Sequence, residues 1–291
     1  MPTETSTTDL DDELSGLDRL ETAAATAESR GRRLWNATWP KVAAIGLVLL
    51  IWQVAVWAEW KKEYLLPGPA RVWGRLVEDL GSADLWEAVA TTMRRAAVGF
   101  VLALLIGAVL GIVVSASRHV RSAIGALITG LQTMPSIAWF PLAILLLGLT
   151  ESAINFVVVL GAAPSIANGV IAGIDSSPPL LRRVGRSMGA SRTGLYRDFL
   201  VPAAMPSVIA GLKQGWAFSW RSLMAGELLV LIPGTQSIGM RLQFAREFSD
   251  AKGVLASMIV ILVIGIVMDA VVFSRLERRV LRRRGLGPHR A

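Results

Sequence analysis

The sequence contains no cysteine and only two histidines, His119 and His289. Without thiols there is no disulfide, no thiolate nucleophile and no cysteine-ligated metal. Two histidines, one in a short loop and one near the end, do not build a multi-histidine metal centre. No Gly-x-x-x-x-Gly-Lys-Ser/Thr phosphate loop occurs, so any power from a nucleotide has to come from another chain. A basic segment followed by an early apolar run is also missing from the N-terminal region, and no cleavable signal peptide is expected. Charge is missing over long distances: residues 42–58, 96–117, 122–150 and 152–174 carry no Asp, Glu, Lys or Arg.

What is present is apolar. Hydrophobic residues make up 53% of the 291, and the mean hydropathy is +0.51. About 20 apolar residues cross a bilayer as a helix, so the four charge-free stretches read as membrane spans. Two further apolar regions, 203–231 and 254–274, carry a few ionisable residues each, which brings the expected count to six. The fold class is therefore all-α integral membrane. The net charge is +8, and its placement argues against nucleic acid. Basic residues cluster at 118–121, 182–197 and 275–290, at the ends of apolar segments. Positive loops stay cytoplasmic. Six spans put all three clusters on one face, with both termini cytoplasmic and the chain multi-pass in the cell membrane.

Residues 1–38 are polar, acidic near Asp9–Glu13 and basic at Arg30, Arg32 and Arg33; too little apolar surface offsets their ordering entropy, so a disordered cytoplasmic tail is expected. The first span occupies 39–60 and an extracytoplasmic loop 61–91. Pro67-Gly68-Pro69 interrupts that loop. Val72, Leu76 and Leu80 then recur every fourth residue beside Trp73, the pattern of an amphipathic helix lying on the membrane surface or packed on neighbouring spans. The core of five further spans covers 92–276, and 277–291 form a basic cytoplasmic tail. In the second span Gly107 and Gly111 make a small-xxx-small pair suited to close helix packing, with Gly99 two turns earlier. In the third, Pro135 and Pro141 predict a bend, because proline frees backbone groups that neighbours or a water-lined cavity must satisfy.

The polar segment 175–201 stands out between spans. Asp175, Ser176 or Ser177 can cap a helix opened by Pro178 and Pro179. Leu180, Leu181, Val184 and Met188 supply an apolar stripe, and Arg182, Arg183 and Arg186 point elsewhere. Gly189 lets the chain turn, 192–199 reads as a second short amphipathic helix, and Pro202 and Pro206 open the next span. On that span Lys213, Trp216, Trp220 and Glu227 share one stripe, with Arg221 about 100° away. Ionisable residues in membrane spans are costly and often mark a pathway. Lys213 or Arg221 would assist an anion, or else the cations snorkel or pair while the tryptophans pack.

Three motifs carry a family resemblance. They are Leu66-Pro67-Gly68-Pro69-Ala70-Arg71-Val72, then Met134-Pro135-Ser136-Ile137-Ala138-Trp139-Phe140-Pro141-Leu142. The third and strongest is Gly189-Ala190-Ser191 followed by Val201-Pro202-Ala203-Ala204-Met205-Pro206-Ser207. Together, over about residues 60–285, they resemble ABC importer permeases of the aliphatic sulfonate, taurine and nitrate group. The resemblance implies the type I importer fold and a transport subunit with no catalysis and no cofactor of its own. It also implies partners: ABC ATPase subunits that bind ATP and Mg, an extracytoplasmic solute-binding protein, and a second permease copy, expected to be identical. Segment 175–201 would be the loop that couples to the ATPase. Gly189, Ala190 and Ser191 would sit at its turn, Arg183 and Arg186 at the contact, and Phe199 and Pro202 as anchors to the membrane domain. One departure is plain: where those permeases carry Glu-Ala-Ala, this chain has Arg183-Val184-Gly185. A secondary transporter or a membrane enzyme fits less well. No internal repeat is evident, mid-membrane carboxylates are scarce, and no convergent nucleophile, base or metal set exists.

Overall fold

The computed structural model describes residues 30–283; the start of the expected tail, 1–29, and the last eight residues lie outside them. The described residues divide into two units, 30–60 and 61–283. In the first, α1 (Arg30–Trp57) starts within the segment expected to be tail, and its portion Thr38–Trp57 is long and apolar enough to cross a membrane.

In the second unit every regular element among the described residues is helical. Helix α2 (Pro69–Leu80) opens on Pro69, whose missing N–H costs nothing in a first turn. It buries Val72 and Leu76, while Trp73, Val77 and Leu80 remain exposed. Helices α3 (Ala83–Ala116), α4 (Arg118–Thr133) and α6 (Glu151–Asp175) each start where a hydroxyl accepts a backbone N–H: Ser82 from Leu85, Ser117 from Val120 and Thr150 from Ala153. The expected third span is not one helix. Pro135 stops α4, a 3-10 turn (Ser136–Trp139) follows, and α5 (Phe140–Leu147) leaves at 102° to α4. Helix α7 (Pro179–Ser187) comes next, then α8 (Val201–Leu229), α9 (Ile238–Glu247), α10 (Ala251–Met268) and α11 (Ser274–Arg283).

Helix α6 is the centre of the packing, held between α3 and α8. Both contacts are built on glycine. A Cβ on Gly107 would lie 2.6 Å from the Ala163 carbonyl oxygen, and one on Gly111 2.7 Å from Val170. On the opposite side Gly169 and Gly211 face each other, so a Cβ on either would come within 2.6 Å of the other's Cα. Backbones this close gain dispersion contact over their whole length, which lipid cannot supply to a helix with bulky side chains at the crossing. The packing reading of Gly107 and Gly111 therefore holds, as it does for Gly99 against Val158.

Four helices of the described residues are long and apolar enough to span a bilayer, or five crossings if the bent α4–α5 pair makes one. Helix α8, expected as a further span, falls short on composition. Its Lys213, Arg221 and Glu227 dilute the apolar run, although it is 29 residues long.

Candidate functional site

The segment after α6 is ordered by backbone hydrogen bonds. The Gly189 N–H donates to Arg186 O and the Ala190 N–H to Gly185 O, each at 3.0 Å, while Gly189 has φ +75°. This is the paired bonding that closes a helix through a left-handed residue, a conformation glycine adopts without Cβ penalty. Ser191 Oγ then accepts the Gly194 N–H at 3.1 Å. Two expectations are corrected here. Asp175 does not cap α7; it pairs with Arg121 at 2.8 Å, and Ser176 and Ser177 donate to Gly173 O. Likewise 192–199 is no separate helix. One α turn (Arg192–Gly194) and a π segment (Leu195–Leu200) run into α8 with no loop between them.

The face on which α7 packs also differs from the pattern. Gly185 is the buried residue; a Cβ there would meet Leu195 at 2.6 Å and Phe199 at 3.3 Å. Of the apolar stripe Leu180, Leu181, Val184 and Met188, only Leu181 is half-buried; the other three are exposed, Met188 at 72%. Arg183, Arg186, Gly189 and Ser191 are exposed as well, Ala190 and Phe199 half-buried, and Pro202 lies in the first turn of α8. The glycine of Arg183-Val184-Gly185 thus has a packing reason: it lets α7 sit down on the π segment.

Higher on α8, four of the five residues expected along a pathway come together. Lys213, Trp216, Trp220 and Arg221 line one cavity of about 530 Å³, with Asp269 and Glu277 on its other wall. Lys213 Nζ lies 3.2 Å from Asp269 Oδ1, and both side chains are nearly half exposed, at 43% and 45%. Asp269 begins a second π segment (Asp269–Phe273) at the end of α10. Trp216 and Trp220 are buried and stacked, with centroids 6.1 Å apart, and Trp216 meets Phe100 edge-on at 5.4 Å. Arg221 donates to Ala217 O on the preceding turn and lies over the Phe218 ring. From the sequence Asp269 has a partner candidate in Arg275 or a neighbouring backbone group and no functional role; in the structure its partner is Lys213. A carboxylate inside an otherwise apolar stretch was the signal that could have found it.

Glu227 is apart from this cavity. Fourteen residues of α8 separate it from Lys213, about 21 Å along the axis. It is 1% exposed and accepts from Thr92 Oγ1 at 2.9 Å, Arg95 Nη1 at 3.1 Å and the Gly239 N–H at 3.0 Å. Arg95, 3% exposed, also forks onto Glu151 at 2.7 and 2.9 Å and donates to Thr235. One guanidinium on α3 so joins the start of α6 to the end of α8, remote from α7. Its five N–H donors suit that task, and burial makes each partner necessary to the others. Arg95 was missed because its partners are 56 and 132 residues away in sequence. Among the described residues no three His, Cys, Asp or Glu side chains converge closely enough to hold a metal ion.

A family model described as "Binding-protein-dependent transport system inner membrane component" matches residues 99–282. The taurine transport system permease protein TauC of Escherichia coli (strain K12) is 27% identical over 233 residues, covering 78% of this chain and 84% of TauC. The nitrate import permease protein NrtB of Synechocystis sp. is 29% identical over 264 residues, covering 85% of this chain and 94% of NrtB. A chain of the MetNI methionine ABC transporter in an inward-facing conformation superposes with a TM-score of 0.57 at 19% identity, over 68% of this chain and 96% of that one, a likeness of fold. The chain belongs to the binding-protein-dependent transport inner-membrane components, multi-pass permease subunits of ABC importers that leave catalysis to other subunits.

Proposed function

We propose that this chain is one half of the transmembrane part of a type I importer, crossing the membrane six times with both termini cytoplasmic. Helices α1, α3, the α4–α5 pair, α6, α8 and α10 make the crossings. Helix α8 is admitted because its charged groups face a cavity and a buried network, where water or protein replaces lipid. A second, identical copy completes the pathway. Two ATPase subunits, which bind the ATP and Mg, dock on segment 175–201, and a solute-binding protein delivers cargo from outside. The cargo is a small anion of the sulfonate, taurine or nitrate kind. The names of TauC and NrtB support that choice, as do the two cations Lys213 and Arg221 at the cavity.

One observation supports the mechanism: two residues beyond the Gly189 turn, from Arg192, the helix runs unbroken through Leu195–Leu200 into α8, and Ser191 between them is tied down by the Gly194 N–H. A push on the turn therefore reaches the wall of the cavity through a link of only two residues, Ala190 and Ser191. ATP binding closes the ATPase pair, draws the two turns together and opens the pathway outward; hydrolysis resets it. Reversing a strong bias between two such states takes about 5 kcal/mol of differential interaction. The test is uptake into proteoliposomes containing this chain, its ATPase and its binding protein. Gly189→Trp should insert normally and leave ATP hydrolysis running while uptake fails, and protonophores should not affect the wild type. Normal uptake by a well-expressed Gly189→Trp variant would refute the coupling role, and loss of uptake with protonophore would return the chain to secondary transport.

A further inference from the structure

The cavity on α8 is balanced in charge. Lys213 and Arg221 bring two cations to its wall, and Asp269 and Glu277 bring two carboxylates. The cations are not equally available to a ligand. Arg221 is turned back on its own helix, donating to Ala217 O at 3.1 Å with its guanidinium 4.9 Å over the Phe218 ring. Lys213 meets Asp269 at 3.2 Å, and 43% and 45% of the two side chains stay open. The pair therefore joins two helices without being sealed by them. Asp269 is the first residue of a π segment, a widened turn frequently found at functional sites. At about 530 Å³ the cavity falls within the roughly 300–1,000 Å³ of small-molecule sites.

An ion pair set among apolar helices judges a ligand by what the ligand leaves unpaired. A simple anion drawn to Lys213 has to displace Asp269, and that carboxylate is then left without its cation. A zwitterion leaves neither side chain alone. Its acidic end takes Lys213, its ammonium takes Asp269, and one ion pair becomes two. We propose that the Lys213–Asp269 pair reads a zwitterionic cargo, a small molecule with an ammonium at one end of a short carbon chain and a sulfonate or carboxylate at the other. This rests on the importer reading above and narrows its cargo, from small anions in general to those that also carry a positive charge. A fully buried polar site rejects a ligand lacking one partner by about 10⁴-fold. Here half exposure lets water replace part of what is lost, so the preference is smaller, about tenfold.

The experiment measures binding to the permease–ATPase complex in nucleotide-free nanodiscs. The solute-binding protein is left out, so that its own selection does not enter. Radiolabelled taurine and isethionate are the probes, since they differ only in ammonium against hydroxyl, and flow dialysis gives both dissociation constants. The wild type should bind taurine at least about tenfold more tightly than isethionate. Asp269→Asn should invert that order, because it frees Lys213 for a plain anion and removes the partner of the ammonium. Lys213→Gln should weaken both probes. Lys213→Gln with Asp269→Asn removes the two charges together and strands neither, so it keeps the test open if a single variant misfolds; it should bind both probes equally and weakly. Equal binding of the two probes by the wild type would overturn the proposal and leave the importer reading intact. Persistence of the taurine preference in the double variant would do the same. These ratios do not depend on ATP, so normal uptake by Gly189→Trp, which would defeat the coupling reading, is a separate result.

Discussion

Replacing Gly211 by alanine adds one methyl group where α6 and α8 cross backbone against backbone. Its Cβ would stand 2.6 Å from the Gly169 Cα, 3.1 Å from the Gly169 nitrogen and 3.1 Å from the Ser165 carbonyl oxygen. Carbon atoms rest at about 3.5–4.0 Å, so α6 and α8 would have to part by roughly 1 Å. The obstacle is backbone, so no rotamer change relieves it. Helix α6 has no room to retreat either, because Gly107 and Gly111 hold its other side against α3 with the same tightness. Overpacking costs about 1–3 kcal/mol, and this crossing belongs at the upper end; better helix propensity returns about 1 kcal/mol. The expected net loss is about 1–2 kcal/mol, a factor of roughly 5–30 in the folded-to-unfolded ratio. A matched control is at hand in Gly125, on α4, where a Cβ meets nothing within 4 Å. Gly125→Ala should stabilise by about 0.5–1 kcal/mol. Equilibrium unfolding of both variants in mixed micelles, followed by tryptophan fluorescence, reads the two signs directly. A Gly211→Ala variant as stable as the Gly125→Ala control would refute the close α6–α8 crossing.

Arg95→Met strands Glu227 with only Thr92 and the Gly239 N–H, and leaving a buried charge without its partner costs about 3–5 kcal/mol. Unfolding at the wild-type midpoint would count against the anchor, and Arg95→Lys should lie between, because one ammonium does not fork onto three partners. At Gly189 the left-handed backbone costs an alanine about 1 kcal/mol, while asparagine tolerates it. ATP-driven uptake should therefore be kept by Asn, reduced by Ala and lost with Trp, and equal uptake by all three would contradict the turn. Lys213→Gln should raise the KM for an anionic solute about tenfold. The charge exchange Lys213→Asp with Asp269→Lys should restore stability and leave transport impaired, whereas full transport by that exchange would make the pair structural only.

Much of the architecture was legible in short-range pattern. Charge-free runs mark the helices that meet the length and apolarity of a span, Pro135 marks the bend, and Gly107 and Gly111 mark close packing. Gly189 marks a turn, since its φ of +75° is what glycine is for. The misreadings share one cause. Asp175 resembles a helix cap in its local sequence, but Arg121 from another helix takes it. The apolar stripe Leu180, Leu181, Val184 and Met188 does not decide which side of α7 packs; Gly185 offers the closer approach and the helix turns that side inward. Glu227 and Lys213 share a stripe on α8, yet one joins Arg95 and the other Asp269.

Residue order alone makes this chain a helical membrane protein with a glycine-closed polar segment between two of its helices. Those properties follow from hydropathy and from local backbone preference, which neighbours within a few residues decide. Tertiary structure alone decided which charges meet and where the Gly189 turn leads. A buried charge chooses its partner by distance in space, and the 132 residues of sequence between Arg95 and Glu227 carry no trace of it. The seating of α7 on the π segment likewise depends on the close approach of Gly185 to Leu195 and Phe199, a contact visible only once both are folded.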